Sequence, residues 1–267
     1  MDNGLILSDL HVGADTGCCL PSVHVSIDDT FIDHTAFGIQ KESYDRLSQV
    51  CDEAGRVSFV ILNGDICHGH NYKERGKYCW TTDMRAQAVV AAETLLDTVN
   101  AKKNAKWWLT TSSGYHGGSN PSADELLVKE LQTRGIDAKL NTEWALNIND
   151  MRIHCTHQVG VSSSVYWATA IARELLMEEL HTGTWGSFDY VIRSHCHYFY
   201  QVSDGGTVGI ITPAFMGRDA YIAKKGLRFN PHIGAVMLKI PEHGHKHDYH
   251  VWKWHFSGDH LIPEDTL

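Results

Sequence analysis

Five short apolar segments of this 267-residue chain each end in aspartate or histidine. Apolar runs of this length are typical of buried β-strands, and stretches with helical spacing separate several of them. In open α/β sheets, ligands collect beyond the carboxyl ends of the strands. We therefore expect the polar residues that follow the five segments to meet at one rim: Asp9 with His11, Asp65 with His68, His116, His157, and His195 with His197.

The order of the predicted elements indicates the architecture. Strands alternate with helices in the first half of the chain, and strands dominate the second half. This order favours an α/β fold of two packed mixed β-sheets that form a sandwich flanked by helices. No repeat or linker divides the sequence, so we expect residues 1–267 to form a single domain.

Three local predictions accompany this architecture. Residues 12–38 lack a helical period and are interpreted as a long active-site loop. Residues 137–157 are predicted to form two strands joined by a turn at Asn147–Asp150. Asn120 is expected to cap a helix in which Pro121 takes the first position.

Composition and charge narrow the class of protein. The 23 lysines and arginines against 32 acidic residues give a net charge of −9, which argues against a protein that binds duplex nucleic acid with its whole surface. The seven cysteines lack C-x-x-C spacing, which argues against a disulfide framework and a thiolate zinc site. No long apolar run and no signal-like N-terminus are present, so we expect no membrane contact and a cytoplasmic location.

Histidine is the anomaly of the composition, with 18 residues in 267. Imidazole and carboxylate together suit Mn, Fe and Zn, and one carboxylate can bridge two such ions. A single histidine at a strand end would mean little, whereas the repetition at five strand ends asks for a chemical reason. The residues therefore predict a metal centre at the rim.

The motifs at these strand ends resemble, in kind and in order, those of the calcineurin-like metallophosphoesterases. The family pattern is D-x-H, then G-D-x-x-H or G-D-x-x-D, then G-N-H, a lone H, and G-H-x-H. A compact chain without accessory domains is similar to the members carried by phages and bacteria. The matching segments are Asp9-Leu10-His11, Gly64-Asp65-Ile66-Cys67-His68, Gly114-Tyr115-His116, His157 and Ser194-His195-Cys196-His197.

The resemblance implies two divalent metal ions, with Mn expected first and Fe, Zn or Ni as alternatives. One ion would be held by Asp9, His11, Asp65 and His197, and the other by Asp65, His157 and His195, so that Asp65 bridges the two. A hydroxide between the ions would attack phosphorus. His116 would stabilise the developing charge or protonate the leaving oxygen. Asp65 and His116 are thus the expected catalytic residues.

The chain departs from the family pattern at four residues in three places. Tyr115 stands where the family has an asparagine ligand. Either Tyr115 binds as a phenolate, or water or a neighbouring residue fills the position, or the second metal site is weaker; we favour the last two. Gly117 and Gly118 replace an acidic residue and are expected to leave an open, flexible segment, and Ser194 replaces a glycine while keeping a small side chain.

The predicted function is that of a metal-dependent phosphodiesterase or nuclease, with a nucleotide or single-stranded nucleic acid as the phosphate-ester substrate. The basic interval 218–228, the long segment after Asp9 and the glycines after His116 favour an extended substrate. The alternatives are a phosphomonoesterase, acting on a protein or a small molecule, and a catalytically weak metal-binding scaffold. Gly69 argues against a phosphoprotein phosphatase, because those enzymes are expected to carry arginine at this position, and Tyr115 favours the scaffold.

Overall fold

The structure is a computed structural model that describes residues 1–70, 72, 75–117, 120–160, 167–218, 230–243 and 247–257. Its helices are α1 (Gly38–Ala54), α2 (Met84–Thr98), α3 (Ala123–Thr133) and α4 (Trp167–Trp185). Its strands are β1 (Asp2–Leu7), β2 (Ser22–Ile27), β3 (Thr30–Thr35), β4 (Val57–Leu62), β5 (Ala101–Thr110), β6 (Asp137–Asn141), β7 (Glu143–Ile148), β8 (Met151–Thr156), β9 (Tyr190–Arg193), β10 (Tyr200–Ser203), β11 (Val208–Ile211), β12 (His232–Ile240) and β13 (Tyr249–His255).

The larger sheet has six strands in the order β13-β12-β1-β4-β5-β6. Strands β1, β4, β5 and β6 run parallel, and β12 and β13 extend the sheet in antiparallel pairing. Helices α1, α2 and α3 cover one face, where Leu47, Leu95 and Leu127 share an apolar cluster with Leu7. Because helices cover one face and a second sheet the other, β4 is apolar along nearly its whole length.

The smaller sheet has five strands in the order β10-β11-β9-β8-β7. Strands β8, β9 and β11 run parallel, whereas β7 and β10 pair antiparallel at the two edges. Helix α4 covers the outer face, where Ile171 and Leu175 pack with Val191 and Ile211. No helix in the described part of the chain is long and apolar enough to cross a membrane.

The two sheets pack face to face. Ile6, Phe59 and Ile61 of the larger sheet share one buried cluster with Ile153 and Ile192 of the smaller sheet. Alternate side chains of each central strand therefore point either to the facing sheet or to the helices. The predicted sandwich of two mixed β-sheets flanked by helices is confirmed.

The interpretation of residues 12–38 as a loop is wrong in its central part, because β2 and β3 form a hairpin there. The two-residue turn is Asp28-Asp29, and both residues have positive φ, 44° and 64°. Positive φ at both central residues is the geometry of a type I′ turn, whose twist matches that of the flanking strands. The alternation of buried Val23 and Val25 with exposed neighbours was the available sequence signal.

Two further local predictions need correction. The first strand predicted in residues 137–157 is divided in two: β6 belongs to the larger sheet and β7 to the smaller, so the chain changes sheets at Thr142. The cap of α3 is Ser122 rather than Asn120. Ser122 accepts a hydrogen bond from the Glu125 amide, and the Glu125 carboxylate accepts one from the Ser122 amide, which is a capping box.

Candidate metal centre

The residues predicted as ligands lie just beyond the ends of four strands. Asp9 and His11 follow β1, Asp65 follows β4, and the three remaining histidines follow β8 and β9. Strands β1 and β4 are parallel in one sheet, and β8 and β9 are parallel in the other, so their carboxyl ends meet at one edge of the sandwich. The structure brings together Asp9, His11, Asp65, His157, His195 and His197, with His68 and His116 beside them.

The backbone is strained at five of the six predicted ligands. The φ angle is 52° at Asp9, 48° at His11, 51° at Asp65, 71° at His195 and 55° at His197. A non-glycine residue in this left-handed region costs on the order of 1–3 kcal/mol and persists only where its surroundings enforce it, most often at functional sites. The strained residues here are those that converge on the rim.

One group of candidate ligands consists of Asp9, His11 and His197. The Asp9 Oδ1 atom lies 3.2 Å from His197 Nε2 and 3.7 Å from His11 Nε2, and the two nitrogens are 3.3 Å apart. Burial alone would raise the pKa of Asp9, but His197 and His11 outweigh burial and hold this pKa far below its usual value. The carboxylate is therefore ionised.

A second group consists of Asp9, Asp65, His157 and His195. The Asp65 Oδ2 atom lies 2.9 Å from His157 Nε2 and 3.6 Å from His195 Nδ1. The same oxygen is 4.0 Å from His11 Nε2 and 4.0 Å from His116 Nε2. Burial opposes ionisation of Asp65, yet the neighbouring histidines lower its pKa well below the usual value. Asp65 thus presents one ionised oxygen to imidazoles from both sheets.

The loop after β5 holds Asp65 in place. The Ser113 amide donates a hydrogen bond to Asp65 Oδ1 over 2.9 Å, and the Ser113 hydroxyl lies 3.2 Å from Oδ2. The Asp65 amide donates to Ser112 Oγ, and the Ser112 amide and hydroxyl both donate to Asp124, over 2.7 and 2.6 Å. Burial raises the pKa of Asp124, which the hydrogen bonds from Ser112 partly offset.

Asp124 is a residue that sequence reasoning missed. It lies in the first turn of α3 and is buried, and its Oδ2 atom is 3.5 Å from the position that a Cβ on Gly117 would take. A buried carboxylate therefore lies near Gly117, although α3 and not the segment after His116 supplies it, and the open, flexible segment expected at Gly117 and Gly118 stays a prediction. The capping box at Ser122 and Glu125 was the available signal, because it places Asp124 at the N-terminus of the helix.

His157 presents Nε2 to Asp65 because its other nitrogen is already engaged. The Nδ1 atom lies 2.7 Å from the Asn63 carbonyl oxygen, to which it donates. A Cβ on Gly64 would lie 2.4 Å from His157 Nδ1, so only glycine fits beneath the ring. Burial would lower the pKa of His157, but the Asp65 carboxylate raises this pKa to about 9. The ring fixed in this way has the orientation of metal-binding histidines, in which the second ring nitrogen donates to a carbonyl oxygen.

The residues present fit a divalent cation. Asp9 Oδ1 and His157 Nε2 are buried and, although each lies within 3.2 Å of a charged or imidazole partner, neither makes a well-directed hydrogen bond among the described residues. Within the same part of the chain, the groups that form ion pairs with Asp9 and Asp65 are all histidines. Buried polar atoms normally have partners, and buried carboxylates are normally paired with a cation. Carboxylate oxygen with imidazole nitrogen is the ligand combination of Mn, Fe and Zn.

A third group, His11, His68 and His116, adjoins the first. His68 Nδ1 lies 3.2 Å from His11 Nδ1, and His116 Nδ1 donates to the His68 carbonyl oxygen over 2.6 Å. Burial, and then the neighbouring imidazoles, lower the pKa of His68 well below its usual value, so this ring is neutral. The Tyr115 ring packs edge-on against His116, with centroids 4.7 Å apart.

The hydroxyl of Ser194 has a structural role that its interpretation as a small replacement for glycine missed. It lies 2.8 Å from Thr212 Oγ1 and accepts a hydrogen bond from Asn63 Nδ2 over 2.6 Å. Thr212 in turn lies 2.7 Å from Ser8 Oγ, and Thr110 donates to Asn63 Oδ1 over 3.0 Å. This buried polar belt connects the ends of both sheets directly beneath the candidate ligands.

Replacing Asn63 with alanine is expected to lower the free energy of unfolding by about 2–4 kcal/mol, because buried groups of both sheets lose their partner. Urea denaturation of the metal-free protein measures the loss. Asn104→Ala, at an exposed position of β5, is the matched control and should change stability by less than about 0.5 kcal/mol. Equal effects of the two substitutions would contradict a role for the belt.

Parts of the sequence interpretation lie outside the described residues. These are residues 219–228 of the basic interval and Gly118. The contribution of the basic interval to substrate binding therefore stays a prediction.

No family model matches the sequence, and no curated protein matches it. Solved structures similar to this chain include an archaeal phosphodiesterase with 13% identity and a TM-score of 0.48, aligned over 94% of this chain and 99% of that one. Vps29 from Entamoeba histolytica, in complex with Zn²⁺, has 14% identity and a TM-score of 0.43, over 96% of this chain and 99% of that one. A predicted phosphoesterase from Streptococcus pneumoniae has 11% identity and a TM-score of 0.38, over 94% of this chain and 89% of that one.

Proposed function

We propose that the chain is a calcineurin-like metallophosphoesterase of the type found in phages and bacteria, and that it hydrolyses phosphodiesters of nucleotides or single-stranded nucleic acid. The observation that carries the proposal is the position of Asp65 Oδ2, which faces four imidazoles at 2.9 to 4.0 Å. A buried carboxylate between histidines of two sheets is suited to hold two divalent cations, and two-metal sites are typical of enzymes that hydrolyse phosphate esters.

The proposed division of ligands keeps His11 with His197 and His157 with His195, as in the groups described above, but makes Asp65 rather than Asp9 the shared carboxylate. Asp9, His11 and His197 bind one cation, His157 and His195 bind the other, and Asp65 lies between them. Bound Mn, Fe, Zn or Ni would supply Lewis-acid polarisation of the phosphoryl oxygens and would lower the pKa of a bound water. The Ser113 hydroxyl, 3.2 Å from Asp65 Oδ2, supports the alternative in which a neighbour of Tyr115 supplies the neutral oxygen.

His116 is proposed to act on the leaving group. Its Nδ1–H is used by the His68 carbonyl, so Nε2 is the atom that faces Asp65 and the substrate side. In the imidazolium form, which keeps Nδ1–H on the His68 carbonyl and carries a second proton on Nε2, the Nε2 proton can stabilise the charge that develops on the leaving oxygen or can be transferred to it. The side chain is only partly buried, as a group that contacts substrate must be.

Position 69 supports a diester rather than a phosphoprotein as the substrate. Gly69 has a φ angle of 72°, and a Cβ there would lie 2.1 Å from the His116 carbonyl oxygen. An arginine could not occupy this position without moving the 113–117 loop. The arginine that would bind the dianionic phosphate of a monoester at this point is therefore excluded by the backbone, not merely absent from the sequence.

The test is hydrolysis of bis(p-nitrophenyl) phosphate against p-nitrophenyl phosphate by protein stripped with a chelator and reloaded with Mn²⁺. We expect turnover of the diester to exceed that of the monoester by at least about tenfold, to disappear in chelator and to return with Mn²⁺. Single-stranded DNA and cyclic nucleotides are the substrates to examine next.

The other outcomes separate the alternatives. Turnover of the monoester alone would replace the proposal with a phosphomonoesterase. Turnover of neither ester, with bound metal demonstrated by elemental analysis, would favour the metal-binding scaffold. In that case Tyr115, in place of an asparagine ligand, becomes the first position to revert, with Tyr115→Asn.

A further inference from the structure

A buried glutamine on α2 contacts three of the segments that surround the candidate site. Gln87 is fully buried, and its Oε1 atom accepts a hydrogen bond from the Gly69 amide over 2.7 Å. Its Nε2 atom donates to the Gly69 carbonyl oxygen over 3.0 Å and to the Thr81 carbonyl oxygen over 2.9 Å. The side-chain amide therefore uses its acceptor and both of its donors on backbone groups.

The segment after β1 closes over the same amide. A Cβ on Gly13, two residues after His11, would lie 2.4 Å from Gln87 Nε2. The Gly13 carbonyl oxygen accepts a hydrogen bond from the Trp80 amide over 3.0 Å, next to Thr81. Gln87 thus lies beneath the point where the segments after β1 and β4 and the start of α2 come together.

Gln87 affects His116 through a single peptide unit, the one that joins His68 and Gly69. The His68 carbonyl and the Gly69 N–H belong to the same planar group and point in opposite directions. Gln87 accepts the N–H on one side, and His116 Nδ1 donates to the carbonyl over 2.6 Å on the other. Rotation of this peptide would break both hydrogen bonds together, so the contact with Gln87 fixes the acceptor that orients His116.

We infer that Gln87 is a positioning residue, which keeps the neutral His116 ring in its Nδ1–H tautomer, so that Nε2, on the side of the reacting groups, is the nitrogen that takes up a proton and delivers it. The inference rests on the proposed function only in its kinetic consequence. The tautomer itself is a property of the folded protein and can be measured without turnover. His116 retains its own contact with the leaving group, and Gln87 acts on it through the 68–69 peptide.

The first experiment measures the His116 tautomer from the ¹⁵N shifts of histidine-labelled, zinc-loaded protein, with the His116 signals assigned by their loss in His116→Ala. We expect the Nδ1–H form in the wild type and a mixture of tautomers in Gln87→Met, which matches the side chain in size but has no hydrogen-bonding group. Gln87→Glu keeps an oxygen acceptor for the Gly69 amide but sets its second oxygen against the Gly69 and Thr81 carbonyl oxygens, so it should lower stability and still retain the wild-type tautomer.

The matched control is Thr94→Val, two turns further along α2. Thr94 is fully buried and its hydroxyl donates to the Val90 carbonyl oxygen over 2.7 Å, so the substitution removes a buried hydrogen bond from the same helix without reaching Gly69. We expect it to lower stability and to leave the His116 signals unchanged. If Gln87→Met does not fold, Gln87→Asn replaces it, since the shorter amide cannot span the distance to Gly69.

The kinetic experiment compares two diesters. The leaving group of diphenyl phosphate needs a proton, whereas that of bis(p-nitrophenyl) phosphate needs one much less. Gln87→Met should slow diphenyl phosphate hydrolysis by about tenfold and bis(p-nitrophenyl) phosphate hydrolysis by less than about threefold. In the His116→Ala variant, adding Gln87→Met should lower the rate of hydrolysis almost no further, because Gln87 acts only through His116.

The outcomes are distinguishable. An unchanged Nδ1–H tautomer in Gln87→Met, or an equal loss on both esters in both backgrounds, would overturn the positioning role. A shifted tautomer in a protein that hydrolyses neither ester would uphold the positioning role and reject the proposed function.

Discussion

Asp65→Asn is expected to abolish diester hydrolysis by at least about a thousandfold and to remove bound metal. The substitution keeps the shape of the side chain and an acceptor for the Ser113 amide. It removes the negative charge from the oxygen that lies 2.9 Å from His157 and 3.6 Å from His195. Two cations close together repel each other, so loss of the charge between them should weaken both sites. Elemental analysis after gel filtration and an assay with bis(p-nitrophenyl) phosphate measure the two effects.

The melting temperature tests the effect of the same substitution on metal binding independently. A ligand that binds only the folded state stabilises it by about 2.7 kcal/mol at a hundredfold excess over its dissociation constant, which corresponds to about 5–10 °C for a chain of this size. We expect Mn²⁺ to produce such a shift in the wild type and not in Asp65→Asn. The control is Asp189→Asn, which removes a carboxylate that accepts the Arg152 amide at the other end of β9. A full Mn²⁺ shift in Asp65→Asn would place the metal elsewhere.

His116→Ala is expected to lower diester turnover by about a hundred- to ten-thousandfold while leaving the metal content unchanged. His116 Nε2 lies 4.0 Å from Asp65 Oδ2, further than the nitrogen of His157. Among the candidate ligand groups of the described residues, His116 lies with His11 and His68 and with neither aspartate, so we expect its ring to act on substrate rather than to complete a carboxylate-containing ligand set. Assays and elemental analysis of the same preparation separate the two effects.

The matched control for this substitution is His24→Ala, which removes an imidazole that is 64% exposed on β2. We expect its turnover and metal content to equal those of the wild type. Loss of metal from His116→Ala would move His116 into the ligand set with His11 and His68. Unchanged turnover with full metal content would remove His116 from the chemistry.

The sandwich of two sheets and the convergence of the candidate ligands could be predicted from the sequence because each depends on a local pattern. An apolar strand that ends in Asp9-x-His11 or His195-x-His197 carries its polar residues to the strand end, whatever the rest of the chain does. Parallel strands then bring those ends to one edge. The position of Asp65 among the histidines follows from this rule and needs no knowledge of side-chain packing.

The supporting residues could not be predicted because their partners are distant in the sequence. Ser194 looks like a small substitute for glycine until Asn63 and Thr212 are placed beside it by the packing of two sheets. In the sequence, Gln87 is an ordinary polar residue of an amphipathic helix. Only the orientation of α2 about its axis, relative to the sheet, brings Gln87 to Gly69. Hydrogen-bond networks of this kind depend on register and rotation between elements, which sequence periodicity does not specify.

The β2–β3 hairpin was missed for a different reason. Its signals are local, but the first strand, Ser22–Ile27, alternates over only a few residues, and Asp28-Asp29 is a less common turn than one containing glycine. A long polar segment directly after a predicted ligand also invites interpretation as a loop. In the structure, His34 of β3 stacks on Trp80, with centroids 4.6 Å apart, so the hairpin is packed against the segment that precedes α2.

Anomalous diffraction from crystals soaked with Mn²⁺ locates the bound ions without requiring turnover. We predict two peaks about 3.5–4 Å apart on either side of Asp65, one beside Asp9, His11 and His197 and the other beside His157 and His195. A crystal with no peak at Asp65, or with its only peak among His11, His68 and His116, would contradict the proposed metal centre.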